Sequence, residues 1–175
     1  IAIRSSGNMY NQSLVSSLIS NNGVAETEAW AHRFVGKFAR KPEGNDRAQI
    51  MAVANGEADI AIANSYYIGL MLSGKKGDEQ RAAARKVNLH FPSQAGRGAH
   101  INVSGVGLMK NSPNKANAVK FIEFLLSDKA QEHIVNNTYE YPLSTNVAPS
   151  DLIAQFGTGF KEDQTSVADY GKFNP

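Results

Sequence analysis

Cysteine is absent from the 175 residues. Its absence removes disulfides, thiolate metal sites and cysteine nucleophiles, and it suits an oxidising compartment for a chain that needs no covalent staple. No sign of charge dominates: 18 basic residues face 16 acidic ones, a net +2. The basic residues form no stripe and interleave with no stacking aromatics, so nucleic acid is not an expected partner. The densest basic cluster, Arg81 to Lys86, reads as the polar face of a short helix. No run approaches the roughly 18 apolar residues that span a bilayer. Enzyme signatures are missing as well. There is no GxSxG, no P-loop and no GxGxxG, and Gly105-Val106-Gly107 lacks the third glycine. The four histidines, His32, His90, His100 and His133, show no HxxxH spacing and read as surface or packing residues. Carboxylates such as Glu26/Glu28 and Glu162/Asp163 fall on expected helix or loop surfaces. No nucleophile stands beside a base, and the chain reads as a non-enzyme.

What is present is a core-forming composition, 42% hydrophobic and 19% charged, enough for one ordinary domain. Ile1 to Arg4 reads as a short strand of buried type, as though the chain opened inside a domain. A helix follows over about Tyr10 to Ser20, with Leu14, Val15, Leu18 and Ile19 on one face, and Asn21-Asn22-Gly23 stops it. A second helix, near Glu26 to Ala39, repeats Trp30, Phe34 and Phe38 every fourth residue and predicts them as core. Asp46 is expected to cap a third helix that buries Ile50 and Val53 and ends at Asn55-Gly56. Ala58 to Ala63 has the length and apolarity of a strand, and Tyr66-Tyr67 open another helix. Val87 to Phe91 and Ile101 to Met109 read as further strands. Ser112 and Pro113 suit the start of an amphipathic helix carrying Val119, Phe121, Ile122, Leu125 and Leu126. A shorter helix is expected from Asp128 to Val135. From Tyr139 the chain is loop-rich. Strands alternating with helices predict an α/β fold with a largely parallel sheet.

In such sheets ligands bind beyond the carboxyl ends of the strands. Asn64-Ser65-Tyr66-Tyr67 lies just past one end, and Ser5 to Tyr10 holds the equivalent place after the first strand. Two strand ends of one sheet would thereby bring Tyr10, Tyr66 and Tyr67 together. Phenolate is a hard oxygen donor, and with a free pKa near 10 it needs a strong local cation, which a trivalent metal supplies. On spacing alone, paired tyrosines after a strand read first as amphipathic wall residues, with ligation as the alternative. Ser5-Ser6-Gly7-Asn8, ahead of a helix, is also a candidate anion site.

Several collinear runs resemble the periplasmic ferric-iron-binding proteins, the substrate-binding components of iron ABC transporters. They are Ile1 to Leu14 (IAIRSSGNMYNQSL), Phe38 to Asp46 (FARKPEGND), Gly56 to Tyr67 (GEADIAIANSYY), His100 to Gly107 and Tyr139 to Pro142. The adjacent tyrosine pair is that family's iron-binding signature, so the resemblance implies Tyr10, Tyr66 and Tyr67 as Fe(III) ligands. It also implies a lobe of the two-lobed, type II periplasmic-binding-protein kind, lacking an N-terminal part and the last helix. Residues 1–100 would form the main part of the C-terminal ligand-binding lobe. Residues 101–145 would be a hinge-crossing strand and helices that pack on the other lobe, and 146–175 a return segment. Ser5, Ser6 and Asn8 would hold a synergistic carbonate or other anion. The implied role is capture of ferric iron in the periplasm, or by a lipoprotein at the cell surface, and delivery to an ABC permease in the inner membrane. The missing lobe or a second chain would cover the helix near 113–126. Two other readings stay open: a phosphate or carboxylate receptor of the same fold, and a metal-free ligand-sensing or interaction domain of a regulator.

Overall fold

The computed structural model describes residues 1–165 and 171–173. The chain opens without a helix because its first residues are used in pairing. Ala2 N–H donates to the Ile60 carbonyl at 2.8 Å and Ile62 N–H donates to the Ala2 carbonyl at 3.0 Å, a parallel bridge between Ala2 and Ala61. Helix α1, Met9–Asn22, starts at Asn8, whose side chain caps it, and Gly23 at φ 80° ends it. Helix α2, Val24–Val35, packs on α1. Trp30 stacks on Phe34 at 4.6 Å, and Phe38 meets Phe34 edge-on at 5.3 Å. The expected continuation of α2 to Ala39 does not occur. Ala39 N–H donates to the Ile1 carbonyl at 2.8 Å, which draws the backbone into pairing beside the N-terminus instead of into another helical turn. The three aromatics remain only half-buried, so they form a satellite column and not the core.

The core lies around a short central helix. Helix α3 spans Asp46–Ala54, α4 Tyr66–Leu72 and α5 Asp78–Ala84. Ile50 from α3, Ile68 and Met71 from α4, and Ala83 and Ala84 from α5 are buried together. Tyr139, just past the end of helix α7, Asp128–Thr138, and Ile153 of α8, Asp151–Ala154, close the cluster. The approach of α4 to Tyr139 is close enough to require glycine. A Cβ on Gly69 would sit 2.7 Å from the Tyr139 Cβ. A second buried group, Ala2, Ala52 and Ala58 with Val53 against it, seats the N-terminal segment on α3.

Two expectations about caps are corrected. The cap of α3 is Asn45, whose side chain accepts from Ala48 N–H at 3.1 Å, while Asp46 is the first helical residue and is buried. Helix α6 spans Lys115–Leu125 with Asn114 at its cap position, because Ser112 and Pro113 belong to the preceding turn. Helix α7 runs past Val135 to Thr138, ending where Tyr139 takes a left-handed φ of 65°.

The sheet is reduced, among the described residues, to two isolated parallel bridges, Ala2 with Ala61 and Ala99 with Glu162. Val87 to Phe91 alternates half-buried and exposed residues as a strand would, yet it forms no ladder there. Side-chain packing holds it in place of backbone pairing, since Phe91 stacks on Phe160 at 3.9 Å. Ile101 to Met109 forms no strand either, and no ladder reaches it among the described residues. Val103, Val106 and Met109 are exposed, and Gly105 and Gly107 have open space around them. No helix among the described residues is long and apolar enough to cross a membrane.

Candidate functional site

The sequence places Tyr10 in the first turn of α1 and Tyr66 and Tyr67 at the start of α4, and the fold brings these two helix starts together. The Tyr66 hydroxyl donates to the Tyr10 hydroxyl at 3.0 Å across 56 residues of sequence. The Tyr66 and Tyr67 rings lie with centroids 4.3 Å apart and planes tilted by 32°. Adjacent residues on a strand would point to opposite faces. A helix start avoids this: Tyr67 N–H donates to the Asn64 carbonyl and Ile68 N–H to that of Ser65, so α4 begins directly beneath the pair. All three tyrosines are half-buried.

Burial pushes the Tyr66 phenol well above its ordinary range, and the neighbouring Tyr10 and Tyr67 hydroxyls push it in the same direction. With no cation present, the phenol holds its proton. A phenol oxygen that loses its proton becomes a hard anionic donor, and the Tyr66 and Tyr10 oxygens already lie 3.0 Å apart. No group of three or more histidine, cysteine, aspartate or glutamate side chains suited to a metal occurs among the described residues.

Around the tyrosines lies a polar frame that strand-end reasoning did not single out. Arg4 ion-pairs with Asp46, and its guanidinium carbon lies 5.6 Å from the centre of the Tyr10 ring. The second carboxylate oxygen of Asp46 accepts from Asn64 N–H at 3.1 Å. The Asn64 side-chain oxygen accepts from Asn102 at 2.8 Å, and His100 Nε2 lies 3.2 Å from Ser13 Oγ and 3.3 Å from Asn102 Oδ1. Burial lowers the His100 pKa, which keeps the ring neutral in the physiological range. Its neighbours make His100 a packing and hydrogen-bonding residue, whereas His32, His90 and His133 are exposed.

A family model described as the bacterial extracellular solute-binding proteins matches residues 18–132. The chain belongs to this family. The solute-binding chain is 52% identical over 171 residues to iron uptake protein A1 of Synechocystis sp., an alignment covering 98% of it and 47% of that protein. A major ferric iron-binding protein of Neisseria meningitidis is 36% identical over 107 residues, 61% of this chain and 31% of that one. Among solved structures, a Trichodesmium protein in complex with iron and citrate ligands superposes with a TM-score of 0.95 at 50% identity, covering 99% of this chain and 54% of that one. A ferric binding protein from Campylobacter jejuni gives 0.91 at 38% identity, covering 98% and 54%. The solute-binding chain thus spans about half the length of the relatives it matches. Its fold is that of the matching half of ferric-binding proteins.

The proposed anion segment lies at the rim. Ser5, Ser6 and Gly7 are exposed, and Gly7 N–H donates to Ser5 Oγ at 3.3 Å. Asn8 turns its side-chain oxygen to Tyr10 N–H at 3.1 Å, so it caps the helix that carries the tyrosine. Arg4 and Asp46 are the residues that sequence reasoning missed in the site. An aspartate at a helix start reads as a cap, and only the tertiary structure reveals that it faces inward instead.

Proposed function

We propose that this chain is the ferric-iron-binding half of a periplasmic receptor, with Tyr10, Tyr66 and Tyr67 as phenolate ligands to Fe(III) cargo. The observation that carries the reading is the 3.0 Å approach of the Tyr66 and Tyr10 hydroxyls from two helix starts. Capture requires no bond-making chemistry in the protein beyond loss of phenolic protons. Neutral Tyr66 gives up its proton as the metal arrives, because a trivalent charge outweighs the burial that favours the phenol. Ser5 and Ser6, beside the capping Asn8, are the proposed place where a synergistic carbonate or similar anion completes the coordination sphere. The iron and citrate bound by the Trichodesmium relative support a mixed protein and anion sphere.

The receptor would deliver iron to an ABC permease of the inner membrane. Release would follow opening of a second lobe against this one. Helix α6 and the segment before it fit the proposed crossing region 101–145. Phe121, Phe124 and Leu126 are exposed at 59%, 50% and 59%, an apolar face that suits contact with such a lobe. A ferric-phenolate site absorbs visible light, which separates this reading from an anion receptor or a metal-free module. Titration with ferric nitrilotriacetate should turn the chain coloured, and Tyr66→Phe and Tyr67→Phe should each bleach or shift the band. A chain that stays colourless, yet gains melting temperature with phosphate, would be an anion receptor instead.

A further inference from the structure

We propose that Asp46 is the positioning residue of the tyrosine site, clamping the Tyr10 segment and the Tyr66-Tyr67 segment into one register. The inference rests on the ferric reading above and adds to it a part for a residue that touches no metal. Asp46 is only 2% exposed. A carboxylate so deeply buried is tolerated when its charge is paired and its oxygens are hydrogen-bonded, and both conditions are met by groups that lead to ligands. One oxygen pairs with Arg4, whose guanidinium lies against the Tyr10 ring. The other accepts from Asn64 N–H, and the Asn64 carbonyl in turn accepts from Tyr67 N–H at 3.2 Å. One side chain therefore touches both the cation that lines Tyr10 and the backbone that starts α4. Its place in the first turn of α3 adds the favourable end of that helix dipole to the carboxylate. A clamp of this type sets the spacing of donors before the cargo arrives, so that little ordering remains to be done on binding.

Asp46→Asn is the informative change because it keeps the volume and the oxygen that Asn64 N–H needs, while turning a donor toward Arg4. In the full chain, at saturating ferric nitrilotriacetate, its visible band should shift and its apparent ferric affinity should fall by about 10–100-fold, as outer-shell partners typically do. In iron-free protein, exchange of the Asn64 amide proton should accelerate, because the retained oxygen is no longer charged and holds that N–H more weakly. Combined with Tyr10→Phe, the same change should cost clearly less affinity, since the Arg4 arm then has no ligand to place. A variant with wild-type band and affinity would overturn the clamp, and so would an equal affinity loss in the Tyr10→Phe background, which marks general destabilisation. If Asp46→Asn does not fold, Arg4→Lys, at a side chain 21% exposed, keeps the charge but removes the planar guanidinium over Tyr10. An unshifted band in Arg4→Lys would then refute the proposal. A colourless wild type is a different failure: it removes the ferric reading itself and the clamp with it.

Discussion

Adding one methyl group at Gly69 is a sharp test of how α4 is seated. An alanine Cβ there would lie 2.7 Å from the Tyr139 Cβ and 3.0 Å from both Tyr139 Cγ and Ile153 Cδ1. Carbon atoms at rest are about 3.5–4.0 Å apart, so the nearest contact is about 0.8 Å too short. Tyr139 cannot easily yield. It is 4% exposed, it holds a left-handed φ of 65°, and its N–H closes α7 on Val135. Overpacking a tight core typically costs about 1–3 kcal/mol. Against this stands the helix preference for alanine over glycine, worth about 1 kcal/mol. With Tyr139 fixed, the strain belongs at the upper end of that range, about 2–3 kcal/mol, so the net expectation is a loss of about 1–2 kcal/mol, or roughly 2–8 °C in melting temperature for a domain of this size. Urea unfolding followed by far-ultraviolet circular dichroism should give a lower midpoint with an unchanged slope. Because α4 carries Tyr66 and Tyr67, ferric affinity should decline alongside stability. A Gly69→Ala chain more stable than wild type by about 1 kcal/mol would refute the packing argument, for the helix preference alone would then account for the result.

Two further outcomes follow from the same geometry. The Tyr66 phenol is held protonated by burial and by its tyrosine neighbours, so ferric binding must expel phenolic protons; affinity should rise with pH and fall as pH drops. Proton release measured in weakly buffered solution at neutral pH should be clear and should shrink in Tyr66→Phe, whereas binding without release would contradict phenolate ligation. Tyr141, whose phenol is pushed up to about 12 by burial, donates to the Gly157 carbonyl at 2.9 Å. Tyr141→Phe should cost about 0.5–1.5 kcal/mol in a denaturant melt with the aromatic contacts to Phe91 and Phe160 kept, and a neutral effect would mean that water replaces the lost bond.

The helices were the most legible part of the chain, because their apolar faces repeat at helical spacing and their ends carry Asn, Gly and Ser. The errors arose where tertiary contacts compete with local preference. The aromatic repeat at every fourth residue continues through Phe38, yet Ala39 gives its N–H to Ile1 and the helix stops at Val35. Asp46 has the chemistry of a cap, yet Asn45 supplies it and Asp46 turns inward. The strand expectations fared unevenly: Ile1 to Arg4 and Ala58 to Ala63 meet in a parallel bridge, while a β-rich composition elsewhere names a segment able to pair but not the neighbour with which it pairs. Ile101 to Met109 shows this plainly, with apolar residues and glycines and no ladder among the described residues. For the site, strand-end logic brought attention to Tyr10, Tyr66 and Tyr67. The pairing of Arg4 with Asp46 and of Asp46 with Asn64 left no periodic or spacing signal, because it exists only once distant segments meet.

The isolated bridges also set an order of events in folding. Ala2 with Ala61 and Ala99 with Glu162 each close a loop of about 60 residues, and closure entropy must be met before such contacts give anything back. Helices form from neighbours in sequence within about a microsecond, whereas pairings this remote come later. The meeting of Tyr10 with Tyr66, 56 residues apart, belongs to the slower class. During synthesis the N-terminal tyrosine leaves the ribosome well before its partners and stays exposed to solvent until the first loop closes. An incompletely folded chain therefore lacks the meeting of the Tyr10 and Tyr66 hydroxyls, and the proposed ferric site is assembled only once that loop has closed.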